Sequence, residues 1–226
     1  MQVPRHARPP KRILRFDCGR YFVRTIRRED ASDRWASWLS DPWAIRALNL
    51  RSRILNKQDI LGYIRKFDQR SNLLAGIFEK QTLQHVGILR VDVDWQSKQG
   101  LINLLIGEPE HRGRGLMGDV ALGMVDYAFE TMKLQKLTAS TLSRNALIVS
   151  FLRRMGWRED KSAASVKSNS DGSMLDLCSF ALTAEAWRAW KQTDYAKRLA
   201  LRAKRIATGL ARREDSVGEL MQSTLT

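Results

Sequence analysis

The sequence predicts an α+β domain, a mixed α/β arrangement in which helices flank one central, mostly antiparallel twisted sheet of six to seven strands, followed by a C-terminal helical extension. Three observations carry that reading. Helical patterns come first, an alternating apolar meander follows, and the chain then runs strand, helix, strand, helix, strand. A length of 226 residues suits one core with tails and is short for two ordinary domains. The longest apolar runs, such as 101–106, fall far short of the ~20 residues a membrane span needs.

The opening Met1 to Arg12 places Pro4, Pro9 and Pro10 among basic residues without apolar periodicity, and reads as part of a disordered basic leader over 1–19. Tyr21 to Ile26 suits a first strand, and Asp30 can cap a helix carrying Trp35, Trp38 and Leu39 on one face. Ser40-Asp41-Pro42 breaks and restarts the chain into a short helix reaching Leu48, and 57–67 repeats the helical spacing with Ile60, Leu61, Tyr63 and Ile64. The pattern then turns to strands over 73–78, 84–93 and 101–106, with turns near Lys80-Gln81 and 97–100. A helix over 117–131, a strand over 137–142, a helix over 146–155 and a strand pair near Trp157 and 175–182 complete the domain, expected over 20–183. The Ser, Asn, Asp and Gly of 162–173 predict a hairpin loop, and 184–226 reads as a basic helical extension with Trp187, Trp190, Leu199, Ile206 and Leu210 roughly along one side.

Charge is concentrated at the two ends. The net charge of +15 is already supplied by residues 1–28 (+8) and 184–213 (+7), so the remainder is balanced. Contact with an anionic surface, membrane or nucleic acid, is therefore expected of the ends, with a merely solvated basic face as the alternative. Cys18 and Cys178 are too few for a disulfide scaffold or a zinc site, so two free thiols in a reducing, cytoplasmic setting are expected, with no metal.

Arg112-Gly113-Arg114-Gly115-Leu116-Met117-Gly118 follows an apolar strand and opens a helix. Amides at such a point lack intrahelical partners, glycines let the backbone approach a ligand closely, and two arginines add donors, which together suit a phosphate. The spacing fits neither the phosphate loop of nucleotide hydrolases nor the dinucleotide fingerprint. The segment does resemble the pyrophosphate loop Q/R-x-x-G-x-G/A of the GNAT superfamily of acyl-CoA N-acyltransferases, departing where Met117 stands for Gly or Ala. A second segment, Asn145 to Trp157, is similar to the superfamily's N-x-x-A-x-x-L-Y-x-K-x-G-F at Asn145, Gly156 and Trp157. More loosely, Trp38 to Pro42 and Tyr63-Ile64 look like the subgroup containing ribosomal-protein and amino-sugar N-acetyltransferases.

The resemblance implies a GNAT-like sheet and acetyl-CoA as cosubstrate. It assigns pantetheine pairing to Leu104, Leu105 and Ile106 on the strand before the loop, phosphate binding to residues 112–118, and further pantetheine contacts to Asn145 and Leu152. Leu152 occupies the place of a Tyr that protonates the leaving thiolate, and leucine has no proton to give; either Ser143, Ser150 or a water substitutes, or the thiolate leaves without a positioned acid. An alkylamine is mostly protonated near pH 7, so a base is expected, and Asp92 and Asp94 rank first. Asn103 can only orient a water, Glu108 and Glu110 read as surface charges, and His111 as a packing or phosphate-touching residue. Trp35, Trp38 and Trp43 read as core before acceptor wall.

The leading function is transfer of an acetyl group from acetyl-CoA to a primary amine of a small molecule by direct attack in a ternary complex, with a nucleotide-linked amino sugar preferred because a basic protein disfavours a polycation. A homodimer is a further expectation. Two alternatives stay open: acetylation of a protein N-terminus or lysine, which calls for a shallow open groove, and a catalytically idle module whose basic tails bind nucleic acid or membrane.

Overall fold

The computed structural model describes residues 9–205 and 208–209, without the side chains of 161–164. The expected leader up to residue 8 and the distal tail from 210 lie outside the described residues. Eight strands form one sheet in the order β1-β2-β3-β4-β5-β6-β8-β7, comprising β1 (Arg15–Cys18), β2 (Tyr21–Thr25), β3 (Asn72–Glu79), β4 (His85–Asp94), β5 (Gln99–Ile106), β6 (Lys136–Leu142), β7 (Arg158–Lys167) and β8 (Met174–Thr183). Every neighbouring pair is antiparallel except β5 with β6. The helices are α1 (Asp33–Trp38), α2 (Pro42–Leu48), α3 (Lys57–Ile64), α4 (Leu116–Asp126), α5 (Ala146–Arg154), α6 (Ala184–Lys191) and α7 (194–205).

The sheet has one strand more than the sequence predicts, because β1 lies inside the expected leader. Leu14 is fully buried, Phe16 stacks on Tyr127 at 5.3 Å and Cys18 is buried. Apolar residues thus alternate with Arg15 and Asp17, whose charges occupy an edge strand and discourage pairing with another chain. Asp30 does not cap α1. That task falls to Ser32, which accepts from the Trp35 N–H at 3.1 Å, while Asp30 pairs with Arg24 at 2.6 Å. The expected loop over 162–173 is shorter too, since β7 runs to Lys167 and pairs with β8 beyond a register shift.

Two apolar layers sandwich the sheet. On one face α1 to α3 bring Trp35, Ala36, Trp38, Ile60 and Ile64 onto Leu74, Phe78, Ile88 and Leu105. On the other, α4 to α6 bring Leu116, Val120, Met124, Val149, Leu152 and Trp187 onto Leu73, Leu89, Val91 and Ile106. The basic C-terminal segment begins inside this second layer. Trp187 and Trp190 stack at 4.7 Å, their indole N–H groups donate to Asp126 Oδ1 and to the Arg154 carbonyl, and Ala196 on α7 is buried. Gly156 makes the Trp190 contact feasible: its φ is 80°, and a Cβ there would stand 2.9 Å from the indole. Helices that bury two tryptophans are held to the domain by several kcal/mol, roughly 3–5 per indole.

Candidate active site

The parallel pairing of β5 with β6 is confined to Gln99, Gly100 and Leu101 opposite Lys136, Leu137 and Thr138. Beyond those residues the strands separate, while β5 stays paired with β4 as far as Ile106 and β6 with β8 as far as Leu142. The result is a V in the sheet whose β5 edge lacks a neighbouring strand, so backbone donors and acceptors face a cavity of about 580 Å³. Leu104, Leu105 and Ile106 line it from β5, Ala139, Ser140 and Thr141 from β6, and Met117, Val120 and Met124 from α4. Asn145 and Leu152 on the α5 side also reach it. The structure thus brings Leu104 to Ile106, Met117, Asn145 and Leu152, all expected at the coenzyme, around one space.

The glycine segment stands at the open end of the V. Gly113 and Gly115 adopt φ of 73° and 88°, a left-handed turn that favours glycine, and Gly115 is the N-cap of α4. No side chain caps this helix, and its first backbone bond runs from Asp119 N–H to Gly115 O at 3.1 Å. The amides of the first turn are left for an anion, reinforced by the positive end of the helix. Gly113 has nothing within 4 Å of a Cβ position, and Cβ positions at Gly115 and Gly118 meet only side-chain ends at 3.6 to 4.0 Å, so the backbone of the turn has room beside it for a ligand. Arg114 is exposed, and its carbonyl accepts from Arg20 Nη2 at 3.2 Å, which ties the β1–β2 turn to the loop.

Arg112, expected at the phosphate, is engaged within the protein: its guanidinium donates to the carbonyls of Ile106 and Gly107 at 3.2 and 2.6 Å, and forms an ion pair with Asp41 at 2.5 Å beneath the Trp43 ring. Glu108 departs as well: it is buried rather than a surface charge, and it accepts from Arg34 Nε and Nη2, each at 2.6 Å, and from Trp38 Nε1 at 2.8 Å. Burial works against its ionisation, but these hydrogen bonds more than offset it and hold the carboxyl below its ordinary value. Glu110 is exposed as expected, and His111 packs on Tyr21, with the Tyr21 hydroxyl 3.0 Å from Nδ1. Trp35 and Trp38 are core, whereas Trp43 is half exposed and lines the cavity.

The residues expected to act as acid or base lie outside this cavity. Asp94 caps the β4–β5 turn, accepting from the amides of Gln96 and Ser97 and from the Ser97 hydroxyl, and the serine hydroxyl above all lowers its carboxyl's pKa. Asp92 is paired with Arg90 at 2.7 Å near the closed end of the V. Neither lines the cavity, and Ser143 is exposed beside it. The hydroxyls that do line it belong to Ser140 and Thr141. Thr141 Oγ1 accepts from Asn145 Nδ2 at 3.0 Å, which leaves its own proton unspent. Strand alternation from Ala139 points to Thr141, a signal the sequence reading did not use.

One further element closes the site. α2 crosses the cavity mouth, held at its N-terminus by Asp41 to Arg112 and at its C-terminus by the Arg46 carbonyl, which accepts from Arg144 at 2.5 Å, and the Ala47 carbonyl, which accepts from Asn145 at 2.9 Å. Arg46 and Arg144 are the cationic residues of the lining, and among the described residues no Asp, Glu, His or Tyr contributes to it.

Residues 20–158 match the family model described as an acetyltransferase (GNAT) domain. Solved structures agree in fold at low identity. A spermidine N-acetyltransferase from Vibrio cholerae, in complex with CoA and spermine, is 14% identical with a TM-score of 0.66, over 75% of this chain and 98% of that one. A GCN5-related N-acetyltransferase from Brucella melitensis is 15% identical at a TM-score of 0.64, over 82% and 85%. The ribosomal-protein-S5-alanine acetyltransferase from Vibrio fischeri is 18% identical at 0.61, over 77% and 98%. With more than half of its length matched by the family model, and the splayed strands and glycine-capped helix in the expected places, this chain belongs to the GNAT acetyltransferases.

Proposed function

We propose that the chain transfers an acetyl group from acetyl-CoA to a primary amine on a small, anionic acceptor, with nucleotide-linked amino sugars the preferred class. The observation that carries the cosubstrate assignment is the meeting of the V between β5 and β6 with the uncapped glycine N-terminus of α4. The V offers an unpaired strand edge to an amide-bearing arm, and the helix offers donors to phosphates. Acetyl-CoA supplies the acyl group as a thioester. The chain's own part is to align the amine, exclude water and stabilise the developing oxyanion from a β5 amide, with the Thr141 hydroxyl of the cavity lining as the donor to the departing sulfur.

Charge supports the acceptor class. A polyamine needs carboxylates, whereas the described lining provides Arg46 and Arg144 and no acid. A protein tail needs an open groove, whereas α2 is strapped across the mouth. A thermal-shift titration with acetyl-CoA and longer acyl-CoAs tests the cosubstrate, comparing the wild type with Gly115→Glu, whose carboxylate would occupy the anion site. Stabilisation of the wild type alone, about 2.7 kcal/mol at a hundredfold excess over Kd, supports the reading. Thiol release with nucleotide-linked amino sugars but not spermidine then supports the acceptor class, and the opposite order of activity overturns it.

A further inference from the structure

The +7 segment at the C-terminal end is not spread evenly over the surface: one of its arginines stands over the glycine turn. Nη2 of Arg202 lies 3.6 Å from where a Cβ on Gly115 would be, and Leu199, one turn earlier on α7, lies 4.0 Å from the corresponding position on Gly118. α7 therefore packs against the first turn of α4. Its seat is fixed, because Ala196 is buried and Tyr195 meets Trp190 edge-on at 6.3 Å. A second cation approaches from the other side. Arg20, on the β1–β2 turn, donates through Nη2 to the Arg114 carbonyl, while its Nε is buried without a hydrogen-bond partner. Between them, Asp119 feels both guanidinium charges, though burial outweighs them and raises its carboxyl above the ordinary value.

We infer that α7 is the third wall of the phosphate site and that Arg202 binds a phosphate of coenzyme A, with Arg20 opposite it and exposed Arg114 between them. The inference deepens the acyl-CoA assignment above and rests on it. It goes beyond the glycine turn by placing a coenzyme-binding residue in the extension, more than 40 residues past the end of the matched domain at residue 158. Arg202 and Arg20 beside the helix amides, with Arg114 in the turn itself, make a receptor for two or more phosphates rather than for a single carboxylate, since each guanidinium offers a planar fork of donors. Arg112, turned toward Asp41, leaves a place at the turn that Arg202 fills from outside the motif.

Isothermal titration of the full chain with CoA and with 3′-dephospho-CoA, at low and high salt, tests this. Arg202→Gln should weaken CoA about tenfold and make binding less sensitive to salt, Arg202→Lys should recover most of the loss, and Lys197→Gln, an exposed charge on another side of the same helix, should change nothing. A loss that disappears with 3′-dephospho-CoA assigns Arg202 to the 3′-phosphate, and one that persists assigns it to the pyrophosphate; either supports the inference. Wild-type affinity and salt dependence in Arg202→Gln, or an equal loss in Lys197→Gln, overturns it while leaving the coenzyme assignment standing. No CoA binding by the wild type overturns both. Arg202 is exposed, so an unchanged melting temperature without ligand separates lost binding from lost folding.

Discussion

Arg112 Nη2 stands 2.5 Å from Asp41 Oδ2, and that ion pair joins the loop after β5 to the N-cap of α2. The same guanidinium bonds the carbonyls of Ile106 and Gly107, so the arginine latches the helix that covers the cavity. Both side chains are largely buried, so removing one strands the other. Arg112→Ala should cost about 2 kcal/mol in urea unfolding, and Asp41→Ala should add much less in the Arg112→Ala background than in the wild type. An Arg112→Ala variant of unchanged stability that has lost CoA would return the residue to the phosphate.

Gly107 follows β5, where Trp38 crosses the backbone to reach Glu108. A Cβ at 107 would lie 1.9 Å from Trp38 Cδ2, and the tryptophan is held by its bond to Glu108 on one side and by Trp35 at 6.4 Å on the other. Even one methyl must displace the indole, and overpacking of this kind costs about 1–3 kcal/mol or more. Gly107→Ala should therefore lower Tm by roughly 5 °C or more, whereas Gly62→Ala, with nothing within 4 Å, should not. Equal melting temperatures would contradict the packing described.

His85 lies against Trp35, Trp38 and Phe78, its Nε2–H donating to the Gly87 carbonyl at 2.9 Å and its Nδ1 buried without a hydrogen-bond partner. Burial depresses its pKa to about 4, against the partial opposition of Asp30 and the Gly87 bond. Because the folded value is below the unfolded value of about 6.5, the unfolded chain takes up the proton first. The stability contribution is complete above pH 6.5, declines as pH falls through the window, and is gone below pH 4. Unfolding free energy should drop by about 3 kcal/mol across that window, and His85→Phe should flatten the profile. Parallel profiles for the two proteins would rule out His85 as the cause.

Much of this site was legible because its parts are local. The amides before α4 follow from the spacing of Gly113 and Gly115, and Asn145 follows from its distance to Gly156. What escaped depends on contacts between distant segments. Nothing near Arg112 in sequence reveals Asp41 as its partner 71 positions earlier, and nothing near Glu108 reveals Arg34. β1 was hidden because its charged residues, on an edge strand, resemble a solvated leader until Leu14 and Phe16 are seen to pack. Arg202 lay in a run of basic residues, where composition suggests a diffuse field and only the packing of α7 singles one out.

If the amine is deprotonated by solvent rather than by a cavity carboxylate, pH should report the substrate. The described lining has no Asp, Glu, His or Tyr, Asp94 is used by its turn and Asp92 by Arg90. The logarithm of kcat/KM should then rise with unit slope up to the pKa of the acceptor amine, and should shift when an amine of different basicity is used. Asp92→Asn and Asp94→Asn should stay within about threefold of the wild type, since neither removes a base whose loss typically costs 10²-fold or more. Thr141→Val should lower kcat about tenfold with little change in the KM for acetyl-CoA, because the lost hydrogen bond matters as charge develops on sulfur. A pH profile whose inflection stays fixed when the amine changes, and vanishes in Asp92→Asn, would instead make Asp92 the base and move the reacting centre toward the closed end of the V.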